Sequence, residues 1–172
     1  LGVEILFEQG LIDEFAIDKK YYLLIKTAVF NHNKYEIEAG LDQHTYLHCQ
    51  IIRDGDKIDI FKTGLLESFE AFLGASKEIL ENDVISDDIF ETFMQEKTIL
   101  SINRKTDLDR WVSFLALVFG LEFDYSYQYV SKHQYVERLI KKLDYKNLDS
   151  QIKMEKIAAC SLNYINKKII NE

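Results

Sequence analysis

Residues 51–61 read Ile-Ile-Arg-Asp-Gly-Asp-Lys-Ile-Asp-Ile-Phe, which places five charged side chains among apolar ones. At the helical spacing of 100° per residue, the apolar residues in and around this stretch form two stripes on opposite sides. One stripe holds Leu47, Ile51, Ile58, Phe61 and Leu65, and the other holds Cys49, Ile52 and Ile60. Two apolar faces predict a central helix that is covered on both sides.

The charged residues of this helix then need a partner. Asp54 falls within the first stripe and Asp56 within the second, so we expect both carboxylates to be desolvated. An ionised carboxylate away from water costs several kcal/mol or more unless a cation or dense hydrogen bonding compensates it. Lys57 and Asp59 lie nearer the polar seams of the helix. The cluster predicts a charged partner, and a divalent metal ion is the partner that we expect.

The remainder of the chain also has helical patterns. Apolar residues from Leu1 to Ile12 predict an opening helix, and capping residues predict the start of several later ones. These caps are Asp18, Asp42, Ser86, Thr106 with Asp109, and Ser131 with Gln134, and the last helix is predicted to follow Asp149. Residues 123–129 alternate aromatic and polar side chains as a strand would, but a single strand has no pairing partner, so we predict a helix there. The fold class that follows is all-α.

Composition narrows the function. The 172 residues carry 21 Lys and Arg against 29 Asp and Glu, a formal net charge of −8, which argues against nucleic acid as a partner. No apolar run approaches the roughly 20 residues that cross a bilayer, so we expect no membrane partner. Cys49 and Cys160 have neither disulfide-framework nor zinc-ribbon spacing, which is typical of a protein of the reducing cytoplasm.

Two segments together resemble a known family. Asn31-His32-Asn33 is followed on the next helix by Arg53-Asp54-Gly55-Asp56-Lys57-Ile58-Asp59. This pair of segments resembles the HD superfamily of metal-dependent phosphohydrolases, in which a helical domain gathers histidines, a His-Asp doublet and a later aspartate around one or two metal ions. The resemblance implies that Asp56 is the later aspartate and that His32 is an additional histidine, both as metal ligands and catalytic residues. Arg53, Asp54, Lys57 and Asn33 would orient these ligands or bind phosphate.

The resemblance also implies a division of the chain. Residues 1–80 would be the later half of an HD-type helical domain, and residues 81–172 a C-terminal helical extension packed on it as one unit, as in a bacterial subgroup. No His-Asp dipeptide occurs in the sequence, and its histidines are His32, His44, His48 and His133. Because Leu1 lies inside an apolar helical pattern, we expect the missing ligands to lie upstream, in which case this chain alone would be inactive.

The function that the resemblance implies is hydrolysis of a phosphate ester, a nucleotide or a related small phosphorylated molecule. The cofactor would be a divalent ion, Mn, Fe, Co, Ni, Zn or Mg, since mixed imidazole and carboxylate ligands suit several of these metals. The sequence does not determine the oligomeric state, and an oligomer is compatible with it. The alternative is a non-catalytic helical binding or regulatory protein that retains the HD fold without a functional metal site.

Each of these residues also has a plainer interpretation. Asp56 could form a buried ion pair with Arg53 or Lys57. For Asp54, a structural pair with arginine or a cap for a neighbouring helix is favoured over a direct role in the chemistry. His32 could simply stabilise the end of its helix. His44 and His48 have i, i+4 spacing, but no zincin glutamate follows them, so we interpret them as a surface pair.

Overall fold

The chain is helical throughout the part that the structure describes. The structure is a computed structural model, and it describes residues 2–170, among which there is no β-strand. The α-helices are α1 (Tyr22–Asn31), α2 (Gln43–Leu66), α3 (Phe69–Leu73), α4 (Lys77–Asn82), α5 (Asp87–Met94), α6 (Asp107–Leu115), α7 (Asp124–Lys132), α8 (Tyr135–Ile140) and α9 (Leu148–Ile170). The predicted all-α fold class is confirmed. None of the helices in residues 2–170 combines the length and apolar character of a membrane span.

Shorter helical turns connect these elements. They comprise a π-helical turn at Glu4–Glu8 and 3₁₀ turns at Leu11–Glu14, Lys19–Tyr21, Ser101–Asn103 and Ala116–Gly120. The predicted opening helix is therefore wrong as a continuous element, and Leu1 lies outside the described residues. Gly10 separates the two turns with φ of 80°, a left-handed conformation that ends helical hydrogen bonding and that glycine adopts without strain.

Contacts divide the chain into two compact units, Leu1–Asp56 and Lys57–Glu172, with the border inside α2. The domain division after residue 80 that the family resemblance implies stays a prediction. In the first unit, α1 follows a 3₁₀ turn that Asp18 caps by accepting a hydrogen bond from the backbone N–H of Lys20 at 3.0 Å. Asp42 caps α2, as predicted, and its carboxylate accepts hydrogen bonds from the backbone N–H groups of His44 and Thr45, both at 3.0 Å.

The second unit has a large apolar core. Its side chains come from the C-terminal part of α2 and from α3 to α9, with α9 packed on α5, α7 and α8. They include Phe61, Leu80, Phe93, Leu108, Trp111, Tyr127, Leu139 and Ile157. Trp111 packs edge-on against Phe69 with ring centroids 5.1 Å apart. Such a core is the main source of stability for a helical unit of this size.

The capping residues in the sequence correctly predict where most of the helices in this unit begin. Thr106 and Asp109 form the predicted capping box at the start of α6. The aromatic run is helical, as predicted, because α7 begins at Asp124 and puts Tyr127 into the core while Tyr125 is 73% exposed. The predicted capping box of Ser131 and Gln134 is wrong: Ser131 lies inside α7, and Gln134 precedes α8 in a left-handed conformation without a side-chain cap.

Candidate functional site

His32 directly follows the last residue of α1 and is partly buried. Its ring nitrogen Nδ1 lies within hydrogen-bond distance of the backbone carbonyl oxygen of Val29. A carbonyl oxygen can only accept, so this contact requires the proton on Nδ1. In the neutral imidazole the lone pair then lies on Nε2, which is the arrangement that metal-ligating histidines use when a backbone carbonyl fixes the other nitrogen.

Arg53 holds the turn that follows His32. From its position on α2, the guanidinium donates hydrogen bonds to the backbone carbonyls of Asn31 at 3.2 Å and Tyr35 at 3.0 Å, and a further one to that of Lys34. These carbonyls lie on both sides of His32 along the chain. The forked guanidinium suits several acceptors at once, and it therefore ties the histidine segment to the helix that carries Asp56.

Asn31 fixes the same turn from inside. Its side chain is completely buried, its amide group donates to the backbone carbonyl of Thr27 at 2.9 Å, and its Oδ1 accepts from the backbone N–H of Glu38 at 3.1 Å. A buried amide with both ends satisfied restricts the backbone at the end of α1. The position of His32 is therefore set by two buried polar side chains, Asn31 and Arg53.

The acidic residues of α2 differ in exposure. Asp54 is only 3% exposed, as expected. Asp56 is half-buried rather than fully desolvated, and Asp59 is exposed, so the expectation of two buried carboxylates is wrong for Asp56. The physical reason lies in the apolar stripes, because Leu47 and Ile51 are themselves exposed and the helix is not covered all round. A half-buried carboxylate stays accessible to a ligand.

Lys57 is the first residue of the second unit and is 6% exposed. Its aliphatic stem packs against Gly120, where an added Cβ would lie 3.1 Å from the Lys57 Cε atom. Long basic side chains commonly bury such a stem along an apolar surface. The predicted role of Lys57 in binding phosphate or orienting a ligand stays a prediction.

His32 lines a pocket of about 660 Å³ in the first unit. Asn33 lines it too, together with Glu4 and Glu8 from the opening π-helical turn and Lys34. Asp56 and Arg53 are not among its lining residues. Sequence reasoning missed Glu4, Glu8 and Lys34; the i, i+4 spacing of the two glutamates was a signal, but the fold of the opening segment was needed to bring them beside the histidine.

Lys34, which lines this pocket, is held by two contacts of its ammonium group. The ammonium group of Lys34 lies 3.0 Å from the Glu38 carboxylate and 3.7 Å from the centre of the Phe30 ring. Both contacts hold the lysine at the rim. Asn33 is exposed, so its amide is available to donate to an oxygen of a ligand in the pocket.

The described residues do not contain a complete metal centre. Among residues 2–170, no three His, Cys, Asp or Glu side chains converge in a way that could hold one ion. The rings of His44 and His48 pack edge-on with centroids 4.7 Å apart, His44 being exposed and His48 half-buried. The site residues that the structure fixes are thus His32, with one nitrogen available, and Asp56, half-buried on a helix tied to the His32 turn.

Comparison with known proteins identified no similar protein. No family model, no curated protein and no solved structure matches the chain. The resemblance to the HD superfamily therefore stays a prediction that rests on the residues quoted for it.

Proposed function

We propose that this chain belongs to a metal-dependent phosphohydrolase of the HD type, acting on a small phosphorylated molecule such as a nucleotide. His32 and Asp56 are its two contributions to the ligand set. The remaining ligands come from outside the described residues, because two protein ligands are fewer than the three that catalytic transition-metal sites generally use. A cytoplasmic location and the oligomeric state remain predictions.

The observation that carries the proposal is the state of the His32 ring. The Val29 carbonyl accepts a hydrogen bond from Nδ1, so that in the neutral imidazole the lone pair lies on Nε2. A histidine that serves only to stabilise a helix C-terminus needs no further constraint on its turn beyond the contact with the Val29 carbonyl. Arg53 supplies that second constraint from three residues before Asp56, which supports a joint role for the two segments.

The residues present fit part of a metal site and not the whole of one. When bound, a divalent ion in such a site lowers the pKa of a coordinated water and neutralises phosphoryl charge. The contributions of this chain are positional: His32 presents Nε2, Asp56 presents a carboxylate, and Arg53 fixes the distance between their segments. Asn33 can donate a hydrogen bond from its side-chain amide to a phosphoryl oxygen.

A second candidate function has its own observation. The lack of a three-ligand group among residues 2–170 favours a helical binding or regulatory protein that keeps the fold and has no metal centre. In that case Arg53 and Asn31 serve only to close the turn after α1. Asp56 would then be an ordinary partly exposed carboxylate.

The two candidates are separated by metal content and hydrolysis in the full-length protein. The metalloenzyme predicts a bound transition metal and release of phosphate from a panel of nucleotides, both abolished by His32→Gln and by Asp56→Asn. His44→Gln, which alters an exposed histidine, is the matched control and should keep both properties. Metal-free protein without hydrolysis, or hydrolysis that Asp56→Asn leaves intact, would contradict the phosphohydrolase.

A further inference from the structure

The second unit has a basic pocket in a protein of net negative charge. It has a volume of about 530 Å³ and lies beside the start of α6. Arg104, Lys105 and Arg110 line it, together with the carboxylates of Asp83 and Asp107. None of these residues belongs to the unit that carries His32 and Asp56.

Most charges of this pocket have a partner within the protein. Lys105 pairs with Asp88 at 2.8 Å, and Arg110 pairs with Asp107 at 3.2 Å. The Asp83 carboxylate accepts hydrogen bonds from the backbone N–H groups of Val84 at 2.9 Å and Leu108 at 3.1 Å. Backbone donors therefore occupy both oxygens of Asp83.

Arg104 is the exception. Its Nε is buried and has no hydrogen-bond acceptor, and it forms no ion pair with the residues that the structure describes. Its guanidinium lies 5.8 Å from the centre of the Phe114 ring, a contact that positions it without neutralising it. Burial, and secondarily the neighbouring charge of Arg110, lowers the pKa of Arg104. A partly buried cation beside another cation is unfavourable unless an anion joins them.

We propose that this pocket binds the phosphate group of a small molecule, with Arg104 as the principal contact. The arginine fork matches phosphate oxygens in a bidentate way. Arg110 can add a second contact, because its pair with Asp107 is about two-fifths exposed on both sides and such exposed pairs are weak.

The pocket also limits what the phosphate is attached to. Its volume lies in the range of sites for small organic ligands and exceeds what a free phosphate ion fills. Ile79, which lines it, is 52% exposed and offers an apolar contact to the organic part. A nucleic acid is disfavoured, because the two carboxylates at the pocket and the net charge of −8 would repel an extended phosphate backbone.

The test is calorimetric titration of the 172-residue chain with inorganic phosphate, pyrophosphate and adenosine monophosphate, against sodium chloride of equal ionic strength. We expect saturable 1:1 binding of at least one phosphate probe. Arg104→Met keeps much of the side-chain volume against Phe114 and should weaken that binding at least tenfold, since hydrogen bonds to charged groups are worth this much. Arg104→Lys should recover only part of it. Arg138→Met, at an exposed arginine of α8, is the matched control and should bind as the wild type does.

Stability separates a binding arginine from a structural one. Without phosphate, Arg104→Met should be at least as stable as the wild type, because it removes a desolvated cation that has no counterion. Phosphate should raise the melting temperature of the wild type and not that of Arg104→Met. Absence of saturable binding, equal weakening by Arg138→Met, or marked destabilisation of Arg104→Met would each overturn the proposal. Because the probes need no metal, the outcome is independent of whether His32 and Asp56 form a metal site.

Discussion

Replacing Arg53 with methionine should loosen the turn that carries His32. The substitution keeps an aliphatic stem and removes the donors to three backbone carbonyls, those of Asn31, Lys34 and Tyr35. Hydrogen bonds from a charged donor contribute about 1.5–3 kcal/mol each. Tyr35 is exposed and Lys34 only partly buried, so water can replace the donor at their carbonyls. Only the carbonyl of Asn31, which ends a helix beside a fully buried side chain, loses its partner without such a replacement.

The expected loss is therefore about 3 kcal/mol, well below the sum of three bonds. Arg53→Lys should lose less, about 1–2 kcal/mol, because an ammonium group reaches fewer of the three carbonyls than the guanidinium fork does. Arg138→Met is the control: Arg138 is exposed and makes one long hydrogen bond, 3.4 Å, to the carbonyl of His133, so its loss should stay within about 0.5 kcal/mol.

Amide hydrogen exchange with urea denaturation is the suitable assay, because the two units need not unfold together. The Glu38 amide, which donates to the Asn31 side chain, should lose protection in Arg53→Met, whereas amides in the core of the second unit should keep theirs. Unchanged protection of Glu38, or a loss of stability no larger than that of Arg138→Met, would refute the assigned role of Arg53.

Three further predictions concern the second unit. Gly120→Ala should destabilise it by about 1–3 kcal/mol, since the new Cβ would lie 3.0 Å from Thr98 and 3.1 Å from Lys57. Thermal unfolding of Gly120→Ala beside the wild type measures this, and an unchanged melting temperature would contradict it. Asp109→Ala should cost about 3 kcal/mol in urea unfolding, because the buried carboxylate accepts from Ser86, Lys105 and Thr106, and an unchanged midpoint would contradict that. Burial alone would lower the pKa of Lys153, but Asp149 and Asp87 raise it overall. The stabilisation by Lys153 is then complete below its unfolded pKa of about 10.4 and is lost as the pH rises through the higher folded value. The difference in stability between wild type and Lys153→Met should therefore be constant below about pH 10 and should decrease only at higher pH.

Local signals in the sequence predicted much of the fold. Asp42 and the Thr106–Asp109 box act over two to four residues, and such short-range capping can be inferred from residue types alone. The helix at Asp124–Lys132 followed from the lack of a partner for a strand. The break at Gly10 was missed because an apolar pattern continues across it, and periodicity does not register a single left-handed residue.

The candidate site was less accessible to sequence reasoning, because its contacts are long-range. Arg53 was expected to serve a carboxylate or a phosphate, and the structure shows it bound to carbonyls 18 to 22 residues earlier in the chain. The half-burial of Asp56 depends on which neighbours cover α2, which a helical wheel does not contain. The unpaired Nε of Arg104 likewise emerges only when every neighbouring carboxylate has been placed.

The proposal that His32 and Asp56 bind the same ion is tested most directly by nuclear magnetic resonance during titration with Co²⁺. The experiment uses the full-length protein with His44→Gln and His48→Gln, which removes the i, i+4 histidine pair as a competing site. We predict saturable paramagnetic shifts at the His32 imidazole and the Asp56 amide with one common affinity, and a large loss of both in Asp56→Asn. Shifts at His32 that Asp56→Asn leaves unchanged, or no saturable shift at either residue, would contradict a shared metal site.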